Sequence, residues 1–90
     1  MTEIIWTDYL KYKATLRGFN LQTIEEIIRY STERYFDTST ERWIAIGKDG
    51  KILVMIPHEI KEDDSVTPIT IHATTRQQIN YRVRSGRFIK

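Results

Sequence analysis

Two apolar runs joined by an Asp-Gly pair constrain this chain more than anything else in it. Arg42-Trp-Ile-Ala-Ile-Gly47 leads into Lys48-Asp-Gly-Lys51, and Ile52-Leu-Val-Met-Ile56 follows. Asp-Gly between such runs marks a tight β-hairpin, because both residues tolerate the positive φ of a type I′ turn. The second run does not alternate polar with apolar side chains. It therefore predicts a central strand covered on both faces, with helices over at least one of them.

The flanking segments supply the partners. Glu33–Asp37 reads as a further strand, and after the acidic loop Glu59–Ser65 strand character resumes over Thr67–Ile71, with Pro68 fitting best at its beginning. Upstream, Glu3–Trp6 reads as a short strand. Thr7 or Asp8 then caps a helix in which Tyr9, Tyr12 and Leu16 recur at helical spacing, and Gly18 stops it. Asn20 caps a second helix whose stripe is Leu21, Ile24, Ile27 and Ile28, with Glu25 and Glu26 toward the positive end of its dipole. Thr74-Thr-Arg-Gln77 has the spacing of a capping box, which predicts a final helix from about Thr75 to Ser85, ended by Gly86. The expected fold class is α+β, one domain over residues 1–90, in the order β-α-α-β-β-β-β-α. One helical layer packs on a mainly antiparallel sheet, and Trp6, Tyr9, Tyr12 and Trp43 belong to the core.

Composition closes several routes. Ninety residues, 40% of them apolar, suffice for a single core. No apolar run approaches the roughly 20 residues of a membrane span, and the start lacks the pattern of a secretory signal. With no cysteine there is no disulfide framework, and a reducing cytoplasm is the expected compartment. Neither a zinc-ligand spacing nor a phosphate-binding glycine loop nor a catalytic serine motif is present, so no metal or other cofactor is expected.

Charge is distributed unevenly. The net charge is only +2, yet His72–Lys90 holds four arginines, one lysine and no acid, so this stretch carries +5 and the remainder −3. Such an end suits a polyanion or an acidic partner. Arg76, in the first turn of the final helix, could join free backbone N–H groups in holding a phosphate. It could equally cover the sheet edge and pair with a carboxylate such as Glu59. Helical geometry sets Arg76, Asn80 and Arg87 near the direction of Ile79 and Val83, with Gln78 and Arg82 pointing away. Arg82, Arg84, Arg87 and Lys90 would follow a nucleic-acid backbone or form a solvated face. His72 and His58, each at a strand end, are either general acids or bases near neutral pH or surface residues. Tyr81, on the polar final helix, is the aromatic placed to stack on a base.

Several segments, taken in order, resemble the BrnT family of toxins in the RelE/ParE-like superfamily. Ile5-Trp-Thr-Asp8 is similar to the family's first strand, which ends in Trp-Asp. Arg17-Gly-Phe-Asn20 is similar to its His-Gly-Phe-Asp/Ser junction, Arg42–Gly47 with Asp49-Gly50 to its Tyr-x-x-Ile-Gly hairpin, and Ile69-Thr-Ile-His-Ala-Thr-Thr-Arg76 to its Ile-Ser-x-Arg-x-Ala-Ser-Arg ending. The likeness spans nearly the whole chain. It departs from the pattern where His72 stands for the family's arginine, where Arg17 stands for its histidine, and where Gln77-Gln78 replaces a basic and acidic pair.

The resemblance implies a metal-independent endoribonuclease of a type II toxin-antitoxin system and a cognate antitoxin that masks the basic site. On that expectation His72, Arg76 and Tyr81 are catalytic: Arg76 holds the scissile phosphate, His72 moves a proton as the 2′-hydroxyl attacks, and Tyr81 orients a base. Lys11, Lys13, Arg82, Arg84 and Arg87 bind the RNA. The alternative from a different class is a non-catalytic RNA-binding or protein-interaction module that keeps the toxin-like fold, including one that forms a homodimer. A DNA-binding reading is weaker, since no helix-turn-helix spacing is present.

Overall fold

The Asp49-Gly50 hairpin sits at the heart of a six-stranded sheet in the computed structural model, which describes residues 2–90. Strand β2 (Arg42–Asp49) will be bounded below by β1 (Glu33–Asp37) and above by β3 (Ile52–Ile60). The hairpin register runs from Asp49 opposite Ile52 to Trp43 opposite His58, and Gly50 takes φ +62° at the turn. Beyond β3, two short strands, β4 (Val66–Pro68) and β5 (His72–Ala73), share its outer edge, while β6 (Phe88–Ile89) pairs with the far edge of β1. The main path is thus β4-β3-β2-β1-β6, with every strand pairing antiparallel.

Strand periodicity sorts the side chains onto two faces. On one, Ala45, Val54 and Ile56 lie beneath helices α1 (Asp8–Arg17) and α2 (Leu21–Tyr30), against Leu10, Ala14, Ile24, Ile27 and Ile28. On the other, Tyr35, Ile44 and Ile46, with Leu53 and Met55, meet Ile79 of helix α3 (Arg76–Arg84) and Phe88. The sheet is therefore sandwiched between helices, a correction to the single helical layer expected from sequence. Two-sided burial of Ile52–Ile56 holds only in part: Val54 and Ile56 face one layer, Leu53 and Met55 the other, and Ile52 is exposed. Consecutive residues are buried on both sides in β2, at Ile44, Ala45 and Ile46, and again toward the end of β3, at Ile56, Pro57 and His58.

The element order differs in three further places. Glu3–Trp6 contributes a single parallel bridge, Ile4 to Val66, in place of a strand. Of the expected Thr67–Ile71 strand only Thr67 and Pro68 are in a strand, with Pro68 ending β4, where at a sheet edge its missing N–H costs no ladder bond; β5 follows separately at His72–Ala73. The terminal helix is followed by β6, a two-residue strand too short to show periodicity.

The helix caps follow the sequence closely. Thr7 and Asn20 accept from the backbone N–H of Leu10 (3.2 Å) and Thr23 (2.7 Å), and Gly18 closes α1 at φ +80°. At α3 the box shifts by one residue: Thr75 accepts from Gln78 N, and the Gln78 side chain accepts from the Thr74 hydroxyl. Glu25 lies beyond the first turn of α2, where it pairs with Arg29 at 2.9 Å. The Arg34 guanidinium donates to carbonyls at the end of α2, those of Ser31 (2.9 Å) and Ile28, which ties that helix to β1.

The inward row of α1 is Leu10 and Ala14. Tyr9 and Tyr12 are 56% and 61% exposed, so their assignment to the core is overturned, and Leu16 is 62% exposed on the same side. Trp43 is also exposed, stacking edge-on with Phe36 at 5.1 Å, whereas Trp6 does pack against the core. The other outcome is His58, which is buried, with Nδ1 2.9 Å from the Ile56 carbonyl. Burial holds its pKa below the usual imidazole value, so it is a neutral core residue that presents no proton to solvent.

Close seating of α2 on the hairpin depends on Gly47, where an added Cβ would fall 2.6 Å from Ile27 Cγ1 and 2.9 Å from its Cγ2 and Cδ1. Gly47→Ala should destabilise the fold by about 1–3 kcal/mol. Trimming Ile27 to Val in the same chain should recover part of that loss, measured as a shift in the urea unfolding midpoint.

Candidate nucleic-acid interface

Arg17 reaches from the last turn of α1 to the β5 edge. Its Nη1 lies 3.1 Å from Thr70 Oγ1, 2.8 Å from the Ile71 carbonyl and 3.0 Å from His72 Nδ1. A guanidinium has only hydrogens to offer, so in this contact Nδ1 accepts and the imidazole proton belongs on Nε2. His72 is half-buried, and its pKa is held below the usual 6.5 by burial first and then by the charges of Arg17, Arg82 and Lys13. Near pH 7 the ring is neutral.

The surrounding cations come from two elements, α1 and α3. Lys13 stands one turn before Arg17 on α1, with Nζ 5.5 Å from the Tyr9 ring centre and 6.0 Å from that of Tyr12. Arg82 of α3 lies over the Phe88 ring at 5.6 Å and donates to Met55 Sδ at 3.5 Å, and Met55 is the residue opposite His72 in the β3–β5 ladder. Arg82 is thus turned toward the sheet, a correction to the outward direction expected from the helical wheel. Among the described residues, ion pairs form at Arg29–Glu25, Arg76–Glu33 and Arg87–Asp37, and none involves Lys13, Arg17 or Arg82. Three cations without a carboxylate around a neutral ring form a site suited to an anion.

The other expected site residues divide by their partners. Arg76 grips Glu33 with two hydrogen bonds, of 2.5 and 2.9 Å, and the Tyr35 hydroxyl donates to the same carboxylate at 2.7 Å. Of its two sequence readings the carboxylate pairing is the one observed, with Glu33 in the place foreseen for Glu59. The Arg76 hydrogen bond is the main cause of the lowered Glu33 pKa. Arg87 makes two 3.0 Å bonds to Asp37, whose side chain is only 3% exposed and which also accepts from Ser39 N at 2.9 Å. Burial pushes the Asp37 pKa up, but the Arg87 and Ser39 hydrogen bonds outweigh it and bring it down. Arg84 and Lys11 are exposed. Tyr81 is 65% exposed and lines a shallow hollow with Gln77, Arg82, Arg84 and Arg87.

Arg17 is the residue that sequence reasoning left out of the site. A signal was present: Arg17 and His72 are the two positions where the chain departs from the resembled pattern by a basic residue, and they prove to be in contact. Among the described residues, no group of three or more His, Asp and Glu gathers where it could hold a metal ion, and no helix is long and apolar enough to cross a membrane. The class that fold and site define is a small α+β domain with an open antiparallel sheet and a cationic edge around one imidazole. No family model, no curated protein and no solved structure matches the chain.

The pairings separate structural arginines from free ones. Removing Arg87 would leave Asp37 nearly enclosed without its counter-charge, so Arg87→Ala should lower stability by about 1–3 kcal/mol, less than for a fully buried pair because Arg87 itself is partly exposed. Arg84→Ala should stay within about 0.5 kcal/mol of the parent. Denaturant melts of the two variants check this directly.

Proposed function

We propose that this chain binds RNA at the His72 edge and cleaves it as a metal-independent, toxin-type endoribonuclease with a BrnT-like fold. The observation that carries the reading is the contact between Arg17 and His72. Relative to the resembled toxin pattern the histidine and the arginine have exchanged positions, and in this fold the two side chains meet.

Phosphate binding falls to Arg17, Lys13 and Arg82, because Arg76 and Arg87 are committed to carboxylates. A phosphate between these cations draws the Arg17 guanidinium onto its oxygens and releases the lone pair of His72 Nδ1. That nitrogen takes the 2′-hydroxyl proton as the 2′-oxygen attacks phosphorus. The bond to the 5′-oxygen breaks, and the leaving oxygen takes a proton from water. Products are a 2′,3′-cyclic phosphate and a 5′-hydroxyl. The cations serve twice: they stabilise the charge that builds on the phosphate, and they keep His72 deprotonated, as a base must be. A cognate antitoxin of complementary acidic surface would cover the same edge, in a cytoplasmic setting.

A second reading is favoured by a specific observation. Among the described residues the one side chain hydrogen-bonded to His72 is Arg17, whose guanidinium does not give up a proton near neutral pH. A site with a base and no acid suits a module that holds RNA, alone or as a homodimer, without cutting it.

Incubation of the protein with single-stranded RNA in EDTA distinguishes the two. Cleavage to cyclic-phosphate ends should be lost in His72→Ala and fall at least about a hundredfold in Arg17→Ala, while Arg76→Ala retains it. Since the folded pKa of His72 lies below the usual 6.5, the rate should rise with pH to a plateau, with its midpoint below 6.5. RNA bound but uncut at every pH would establish the binding module and end the ribonuclease assignment.

A further inference from the structure

We infer that the exposed face of α1 is a stacking platform for the unpaired bases of single-stranded RNA, placed beside the cations that hold the backbone. This deepens the RNA-binding reading of the His72 edge and rests on it. Tyr9, Lys13 and Arg17 follow one another at four-residue spacing and so form one row along the helix, with Tyr12 beside it. Leu10 and Ala14 fix the buried side, which leaves this row at the surface and over the β5 edge. The two tyrosines are more than half exposed, and among the described residues neither forms a side-chain hydrogen bond that would give it a structural duty.

Lys13 connects the rings to the cationic edge. Its ammonium lies over both rings, which restrains them by cation–π attraction, and its charge also acts on His72. A strand whose phosphate rests among Arg17, Lys13 and Arg82 would have its neighbouring bases within reach of Tyr9 and Tyr12. The occupant follows from charge and ring together: a polyanion answers three unpaired cations, and exposed π-faces select one whose bases are not already stacked in a duplex. The helix carries a single carboxylate, Asp8, at its first turn.

The test is binding of 2′-O-methyl RNA, which lacks the attacking hydroxyl and stays intact, measured by fluorescence anisotropy on the full chain. Its arms are a single strand, a duplex of equal phosphate count, and labelled polyphosphate. The parent protein should prefer the single strand to the duplex. Tyr9→Leu/Tyr12→Leu, which keeps apolar bulk at exposed sites, should lose about tenfold or more on the single strand and nothing on polyphosphate, which also reports that the variant is folded. Tyr9→Phe/Tyr12→Phe should restore single-strand binding, and Arg17→Ala should weaken all three arms. Unchanged single-strand binding in the leucine variant, with polyphosphate still bound, overturns the platform and leaves the cationic edge standing. Failure of the parent to bind any arm overturns both.

Discussion

Burial of β2 on both faces is the constraint from which the rest of this structure follows. Ile44 and Ile46 face one way and Ala45 and Gly47 the other, so neither side of the sheet can be left to water. α1 and α2 cover one face. The other is closed only because the chain passes the outer edge of β3 and places α3 and β6 beneath it. Apolar burial of this kind contributes about 25 cal/mol per Å², which makes two covered faces the dominant stabilising term in so small a domain. The crossing also brings β5, and with it His72, to the boundary between the two helical layers. There α1 from one layer and α3 from the other can each send a cation to the same ring.

The arginines divide into two kinds with separate tasks. Arg87 and Asp37 fasten β6 to β1, and Arg76 and Glu33 fasten the start of α3 to the start of the same strand. Both pairs lie on the face covered by α3, and each carboxylate has its pKa lowered in the fold. Such groups contribute stability above their unfolded pKa and lose it as pH falls through the folded value. Arg17 and Arg82 are held by neutral acceptors, namely carbonyl, hydroxyl, imidazole and thioether groups. Their charge remains available to an incoming anion.

Legibility in the sequence followed the range of the interaction. The Asp49-Gly50 hairpin, the caps at Thr7 and Asn20, and the α2 stripe depend on residues a few positions apart, and all were readable. α1 was misjudged because it carries two rows at helical spacing, Leu10–Ala14 and Tyr9–Leu16 with Tyr12 beside it, and period alone does not say which faces inward. β6 is two residues long and offers no pattern. Arg87 looked free and Arg76 was offered the wrong carboxylate, because their partners stand 50 and 43 residues away. Arg17 was missed for the same reason, since only the fold brings it to His72. The same misjudged helix is what puts two tyrosines on the surface beside the cations.

The central claim is that His72 is a neutral ring among unpaired cations, with Arg17 on Nδ1. Nitrogen NMR of the imidazoles, with His58→Gln leaving a single histidine, tests it most directly. The account predicts the Nε2–H tautomer at pH 7 and a pKa below 6.5 that rises when polyphosphate is added, because an anion offsets the cations that hold it down. A ring that titrates above 6.5 in the free protein, or whose pKa ignores the polyanion, would contradict it.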